Sequence, residues 1–142
     1  MKTVWNDIYF KTYSYDFAGQ LQITGTCPRT YDNNQNKIYT TGYPKTYPGG
    51  QHCNWNIEVN QGKSIELEFE AFNLESHDDC KYDWLQIYDG GNSSSHDLTG
   101  KLCGYIIPGN IRSSGNRLFL AWRTDSSSHF SGFKIAGKLA GK

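Results

Sequence analysis

Apolar and polar residues alternate with a period of two along much of this chain, the pattern of strands with one buried face. Ile65, Leu67 and Phe69 set against Glu66, Glu68 and Glu70 are the clearest case. Trp55, Ile57 and Val59 alternate in the same way with Asn56 and Glu58. Leu85 and Ile87, then Leu118, Leu120 and Trp122, then Phe133 and Ile135 predict three further strands. Turn formers lie between them: Pro44, Pro48-Gly49-Gly50, Asn60-Gln61-Gly62, Asp89-Gly90-Gly91-Asn92-Ser93 and Ser114-Gly115-Asn116. No window sustains an apolar helical period of about 3.6 residues. Short strands joined by tight turns predict an all-β fold, an antiparallel β-sandwich.

The pattern begins before the first cysteine. Tyr13, Tyr15 and Phe17 alternate with Ser14 and Asp16, and Ala18-Gly19 would turn the chain into a second strand carrying Leu21 and Ile23. This predicts an N-terminal β-hairpin extension over residues 1–26. An isolated hairpin is marginal in water, so it must pack on the main domain, on a neighbouring chain or on another part of a parent protein. Its row of aromatics favours self-association into a homo-oligomer.

A length of 142 residues suits one compact domain with a short appendage. Fourteen Lys and Arg balance fourteen Asp and Glu, so net charge offers nothing to attract nucleic acid or an acidic bilayer. No apolar run reaches the roughly 18 residues of a membrane span. The stretch from Met1 to Asp7 lacks the apolar core of a secretory signal. An exported form would therefore begin after its signal or be a fragment of a longer chain, and the reading favours the fragment. Aromatics make up 15% of the chain, more than a solvated, disordered segment carries.

Cys27, Cys53, Cys80 and Cys103 form no C-x-x-C pair, which argues against a zinc ribbon or a redox motif. An even count in a small, Tyr- and Gly-rich domain reads as two disulfides in an oxidising compartment, with buried thiols as the alternative. Three connectivities are open. Bridging neighbours would close loops of roughly 25 residues, each stabilising by about 3 kcal/mol on the chain-entropy model.

The usual marks of an enzyme are absent. The chain has no G-x-S-x-G elbow, no phosphate-binding G-x-x-x-x-G-K-[ST] loop and no H-E-x-x-H. His52, His77, His96 and His129 show no ligand spacing, and Ser126-Ser127-Ser128 reads as a turn. The main chemical signal is acidic. Glu75, Asp78, Asp79 and Asp83 fall within nine positions, opposed locally by Lys81. A solvated acidic loop and an oxygen-ligand site for a hard cation such as calcium fit these residues equally well.

Cys53-Asn54-Trp55-Asn56-Ile57, Phe72-Asn73-Leu74-Glu75 and the run from Cys80 to Gly90 (CKYDWLQIYDG) resemble a CUB domain. Gly42-Tyr43-Pro44, Tyr47-Pro48, Gly100 to Gly104, Ile111 to Asn116, Thr124-Asp125-Ser126 and Gly132 to Ile135 follow the same order of motifs. The resemblance covers residues 27–137, leaving 138–142 as a tail. It implies a jelly-roll-like sandwich with sequential disulfides, Cys27 with Cys53 and Cys80 with Cys103, in an extracellular, secreted or cell-surface protein. Many members hold calcium at one end of the sandwich. Carried onto this chain, the acidic ligands are Glu75, Asp83 and Asp125, with Ser127 and Ser128 as carbonyl or hydroxyl contributors.

In complement-initiating and tolloid-like proteases, related domains dock a partner's lysine on those carboxylates. The resemblance therefore implies a non-catalytic module that binds a protein presenting Lys or Arg to Glu75, Asp83 and Asp125, with Tyr82 and Trp84 as further contacts. The alternatives are a glycan-binding adhesin and an accessory domain of a larger secreted protease. Trp55, Trp122 and Tyr88 are expected to pack, whereas Trp84 has the parity of an outward residue. Asn92-Ser93-Ser94 is an N-glycosylation acceptor on a turn.

Overall fold

The computed structural model describes residues 20–127 and 130–141. Ten strands are assigned among them: Gln22–Gly25 (β1), Tyr31–Asp32 (β2), Lys37–Tyr39 (β3), His52–Glu58 (β4), Ile65–Asn73 (β5), Trp84–Asp89 (β6), His96–Asp97 (β7), Ile111–Arg112 (β8), Arg117–Arg123 (β9) and Gly132–Leu139 (β10). They form two antiparallel five-stranded sheets, ordered β1-β4-β9-β6-β7 and β2-β3-β10-β5-β8. The all-β sandwich expected from the alternation is the fold observed.

The alternating residues do what their period requires. Ile65, Leu67 and Phe69 of β5 and Trp55 and Ile57 of β4 are buried between the sheets, while Glu68, Glu70, Asn56 and Glu58 face away. Aromatic edges lock the layers together. The Trp122 ring stands edge-on to Phe133 at 5.0 Å, and Trp55 meets Phe133 at 5.9 Å. Trp55 also satisfies its buried indole N–H on Thr30 Oγ1 at 2.9 Å. Cys27–Cys53 and Cys80–Cys103 are the two disulfides, the sequential pairing that the resemblance implied.

The C-terminal part of the expected extension joins the sandwich. Gln22–Gly25 is an edge strand of the sandwich, in register with β4 from Gln22↔Glu58 to Gly25↔Trp55. Leu21 and Ile23 are 0% and 2% exposed, so they belong to the same core as Trp55 and Ile57. The physical reason is that alternation reports a buried face without saying which sheet buries it. On the open side of β1, the Asn33 carboxamide acts as a surrogate strand: its Oδ1 accepts from Ile23 N at 2.8 Å and its Nδ2 donates to Ile23 O at 2.9 Å. The first strand of the expected hairpin (Tyr13, Tyr15, Phe17), its turn at Ala18-Gly19, and with them the self-association reading lie outside the described residues. At the other end, β10 continues to Leu139, so part of the expected tail is strand.

Candidate acidic site at one end of the sandwich

Three connections meet at one end of the molecule. The β3–β4 connection contains Tyr47-Pro48-Gly49-Gly50, the β5–β6 connection runs from Leu74 to Asp83, and the β9–β10 connection starts at Thr124. The middle one is braced by the Cys80–Cys103 bond and by a turn in which Cys80 N donates to His77 O at 3.0 Å. His77 caps this turn with its ring: Nδ1 accepts from Asp79 N at 3.1 Å and from Lys81 N at 3.4 Å. His77, which shows no ligand spacing in the sequence, thus has a structural role in this turn.

Asp83 sits one residue before β6 and is fully buried. Its Oδ2 accepts from the Tyr47 hydroxyl at 2.6 Å, and its Oδ1 accepts from Asp125 N at 3.0 Å. The Tyr47 oxygen in turn accepts from Glu75 N at 3.3 Å. Asp125 is held from both sides, because its carbonyl accepts from Gly50 N at 2.6 Å and its Oδ1 from Ser127 N at 3.1 Å. One phenol and one backbone amide thus link all three connections through Asp83. As a result, carboxylate oxygens of Glu75, Asp83 and Asp125 lie within 4.8 Å of one another.

Burial raises the Asp83 carboxyl above its ordinary range, and the neighbouring Asp125 charge pushes the same way. The donors from Tyr47 and the Asp125 backbone oppose that rise without cancelling it. Tyr47 is pushed well above the usual phenol range, chiefly by burial and then by its bond to Asp83, so it remains a neutral donor. Among the described residues, no Lys or Arg forms an ion pair with Asp83 or Asp125. Gathering two further acids around the buried Asp83 is unfavourable without a counter-charge. The donor set is all oxygen, which suits a hard cation and not an ion that seeks thiolate or imidazole.

The expected site residues separate into groups. Glu75, Asp83 and Asp125 come together. Ser127 is an exposed neighbour tied to Asp125, and Ser128 lies outside the described residues. Tyr82 is on the rim, 39% exposed, with its ring 4.7 Å from that of His77. Trp84 has the outward parity expected and therefore points to the opposite face of its sheet from Asp83. There its ring lies under Lys101 Nζ at 4.6 Å and near the Arg123 guanidinium at 5.8 Å. Tyr88 packs beside Phe119 at 6.0 Å. Tyr47 and Gly49 stand in the sequence within a family motif and a turn, with no sign of a role at this site. Tyr47 follows no alternation, and Gly49 reads as an ordinary turn residue although a Cβ there would lie 2.5 Å from Ser126 O.

A family model for the CUB domain matches residues 27–136, which contain every one of these site residues. The chain belongs to the CUB family. Human Tolloid-like protein 2 is 37% identical over 108 residues, covering 76% of this chain and 10% of that protein. Dog (Canis lupus familiaris) cubilin is 44% identical over 97 residues, covering 68% of this chain and 3% of that protein. The chain therefore spans a small part of these relatives. Among solved structures, the CUB1-EGF-CUB2 region of human MASP-1/3 matches with a TM-score of 0.67 at 31% identity, covering 75% of this chain and 41% of that one. The MASP-1 CUB2 domain bound to Ca2+ matches with a TM-score of 0.63 at 27% identity, covering 71% and 88%. This CUB domain is a non-catalytic extracellular or cell-surface module of the kind used for protein interaction and adhesion.

Proposed function

We propose that this CUB domain holds one calcium ion on Glu75, Asp83 and Asp125, and that the loaded site binds a protein partner through a lysine or arginine. The observation that carries the reading is the convergence of Glu75, from the same connection, and Asp125, from another, on the buried, hydrogen-bonded Asp83. Calcium would balance the charges of Asp83 and Asp125, with which no described Lys or Arg pairs, and would fix the loops. The likeness to MASP-1 CUB2 bound to Ca2+ supports the choice of ion. Three carboxylates exceed the charge of one divalent ion, so the outer oxygens retain acceptor capacity for an ammonium or guanidinium. Ser127, whose N donates to Asp125 Oδ1, would add an oxygen, and Tyr82 would border the approach.

Gly49 provides an independent check, because it touches the site only through backbone packing. Gly49→Ala places a methyl group 2.5 Å from Ser126 O and 2.9 Å from Asp125 O. The 125–126 backbone must move, so calcium affinity is expected to fall about tenfold, as it does when an outer partner of a metal site is disturbed. A calorimetric titration with unchanged affinity would show that this loop does not set the geometry.

A panel of lysine-bearing peptides and a glycan array, each with calcium and with chelator, tests the partner class. The reading predicts lysine-dependent binding that chelator abolishes. Chelator-insensitive binding to sugars alone would favour the adhesin alternative. Asn92 is exposed on the turn after β6, with its Oδ1 accepting from Ser94 N at 2.9 Å. That is the opposite end of β6 from Asp83, so a glycan on Asn92 would leave the acidic end clear.

A further inference from the structure

Tyr105, Ile106 and Ile107 are 73%, 80% and 54% exposed. Single exposed apolar residues are ordinary, but three in succession, each mostly in water, mark a contact surface. The segment that carries them runs from Cys103, bonded to Cys80, to the short strand β8, which pairs with β5. The core makes little use of these side chains.

The start of this segment is fastened to the acidic site. Gly104 has a φ of +84°, and its carbonyl accepts from Leu74 N at 2.8 Å. Leu74 directly precedes Glu75, and a Cβ on Gly104 would lie 3.4 Å from Ser76 Oγ. Tyr105 is thus one Cα step, about 3.8 Å, beyond a residue bonded to the neighbour of Glu75. The Cys80–Cys103 bond makes a second link, to the connection that carries both Glu75 and Asp83. The apolar run therefore starts one residue past the bond to the acidic connection and leads from it toward β8, which pairs with the other end of β5.

We propose that Tyr105-Ile106-Ile107 is the apolar half of a two-part binding surface whose other half is the carboxylate cluster. The partner it fits is a protein segment carrying a lysine or arginine with an aliphatic or aromatic side chain within a few residues. This rests on the acidic-site reading above and adds a second requirement to it. An exposed ion pair alone contributes little and discriminates poorly, whereas a desolvated apolar contact beside it supplies affinity and selectivity. Charge selects a protein over an anionic lipid surface: Asp78 and Asp79 are exposed on the same connection and would repel acidic headgroups.

The test uses the full chain with saturating calcium and nuclear magnetic resonance titrations. The probes are blocked peptides with a single lysine followed two residues later by glycine, leucine or phenylalanine. The leucine and phenylalanine peptides should bind about tenfold tighter than the glycine peptide, as expected for burying part of one apolar side chain. Ile106→Ser, at a site where folding is indifferent to the side chain, should bring all three to the affinity of the glycine peptide. Asp125→Ala should abolish binding of all three. Equal affinity of the native chain for the three peptides would overturn the apolar half and leave the acidic site standing. Failure of every lysine peptide to bind would overturn both. Uptake onto neutral phosphatidylcholine vesicles that Ile106→Ser removes, without discrimination among peptides, would replace the protein partner with a membrane surface.

Discussion

Replacing Asp83 with asparagine is expected to abolish the response of this CUB domain to calcium while leaving it folded. The native chain at calcium about 100-fold above its dissociation constant should gain about 2.7 kcal/mol of stability. That gain corresponds to a rise of several degrees in thermal midpoint, roughly 2–8 °C for a domain of this size. Asp83→Asn keeps the shape and one oxygen acceptor but removes the buried charge, so the calcium-dependent rise should vanish. Asp125→Ala should behave alike. A rise of native size in either variant would remove that residue from the ligand set.

The same substitution has a consequence for pH. Burial holds the folded carboxyl of Asp83 above its unfolded value. Between those two values the folded state binds more protons than the unfolded one, so this group's contribution falls as pH rises through them. Without calcium, ionised Asp83 therefore costs stability at neutral pH, and acidification relieves that cost. Calcium reverses the sign by favouring the carboxylate. Comparing native and Asp83→Asn stability against pH, with and without chelator, isolates this contribution: as pH falls, the native chain should gain on the variant in chelator and lose its advantage over it in calcium.

Tyr47→Phe is expected to have the second large effect, and it separates support from ligation. The hydroxyl donates to Asp83 and accepts from Glu75 N, so its loss leaves a buried carboxylate oxygen and a backbone N–H without that partner. Hydrogen bonds to charged groups contribute about 1.5–3 kcal/mol, and the ring itself is retained against Trp122. Denaturant unfolding should show stability lowered by that amount, seen as a lower midpoint at unchanged slope. Calcium affinity should fall about 10- to 100-fold, the usual effect of losing a partner that orients a ligand. A variant of native stability and affinity would show that Tyr47 does not position the acids.

The long strands were legible because their faces differ. In β5 every second residue from Ile65 to Phe69 is apolar, and no other local structure buries that set. The two-residue strands β2, β7 and β8 are too short to have a period, and their pairing follows from the neighbours. Leu21 and Ile23 show the right period, but alternation names a buried face and not its owner, so the sequence does not reveal that the sandwich core buries them.

The site was legible to a different degree. Glu75 and Asp83 stood out as part of an acidic run, but Asp125 lies 42 positions beyond Asp83 and entered only through the order of family motifs. Tyr47 is 36 positions from the carboxylate it holds, and nothing local in the chain marks that bond. The close backbone approach at Gly49 is equally invisible, because a glycine in a Pro-Gly-Gly turn needs no second explanation. Contacts of this kind are set by the packing of three connections, which a one-dimensional pattern does not encode.

A crystal structure of the full chain grown with calcium tests the central claim most directly. It should show one ion with oxygen atoms of Glu75, Asp83 and Asp125 at about 2.3–2.6 Å, and Tyr47 still donating to Asp83. An ion held elsewhere, or those three side chains turned apart with no ion between them, would contradict the account.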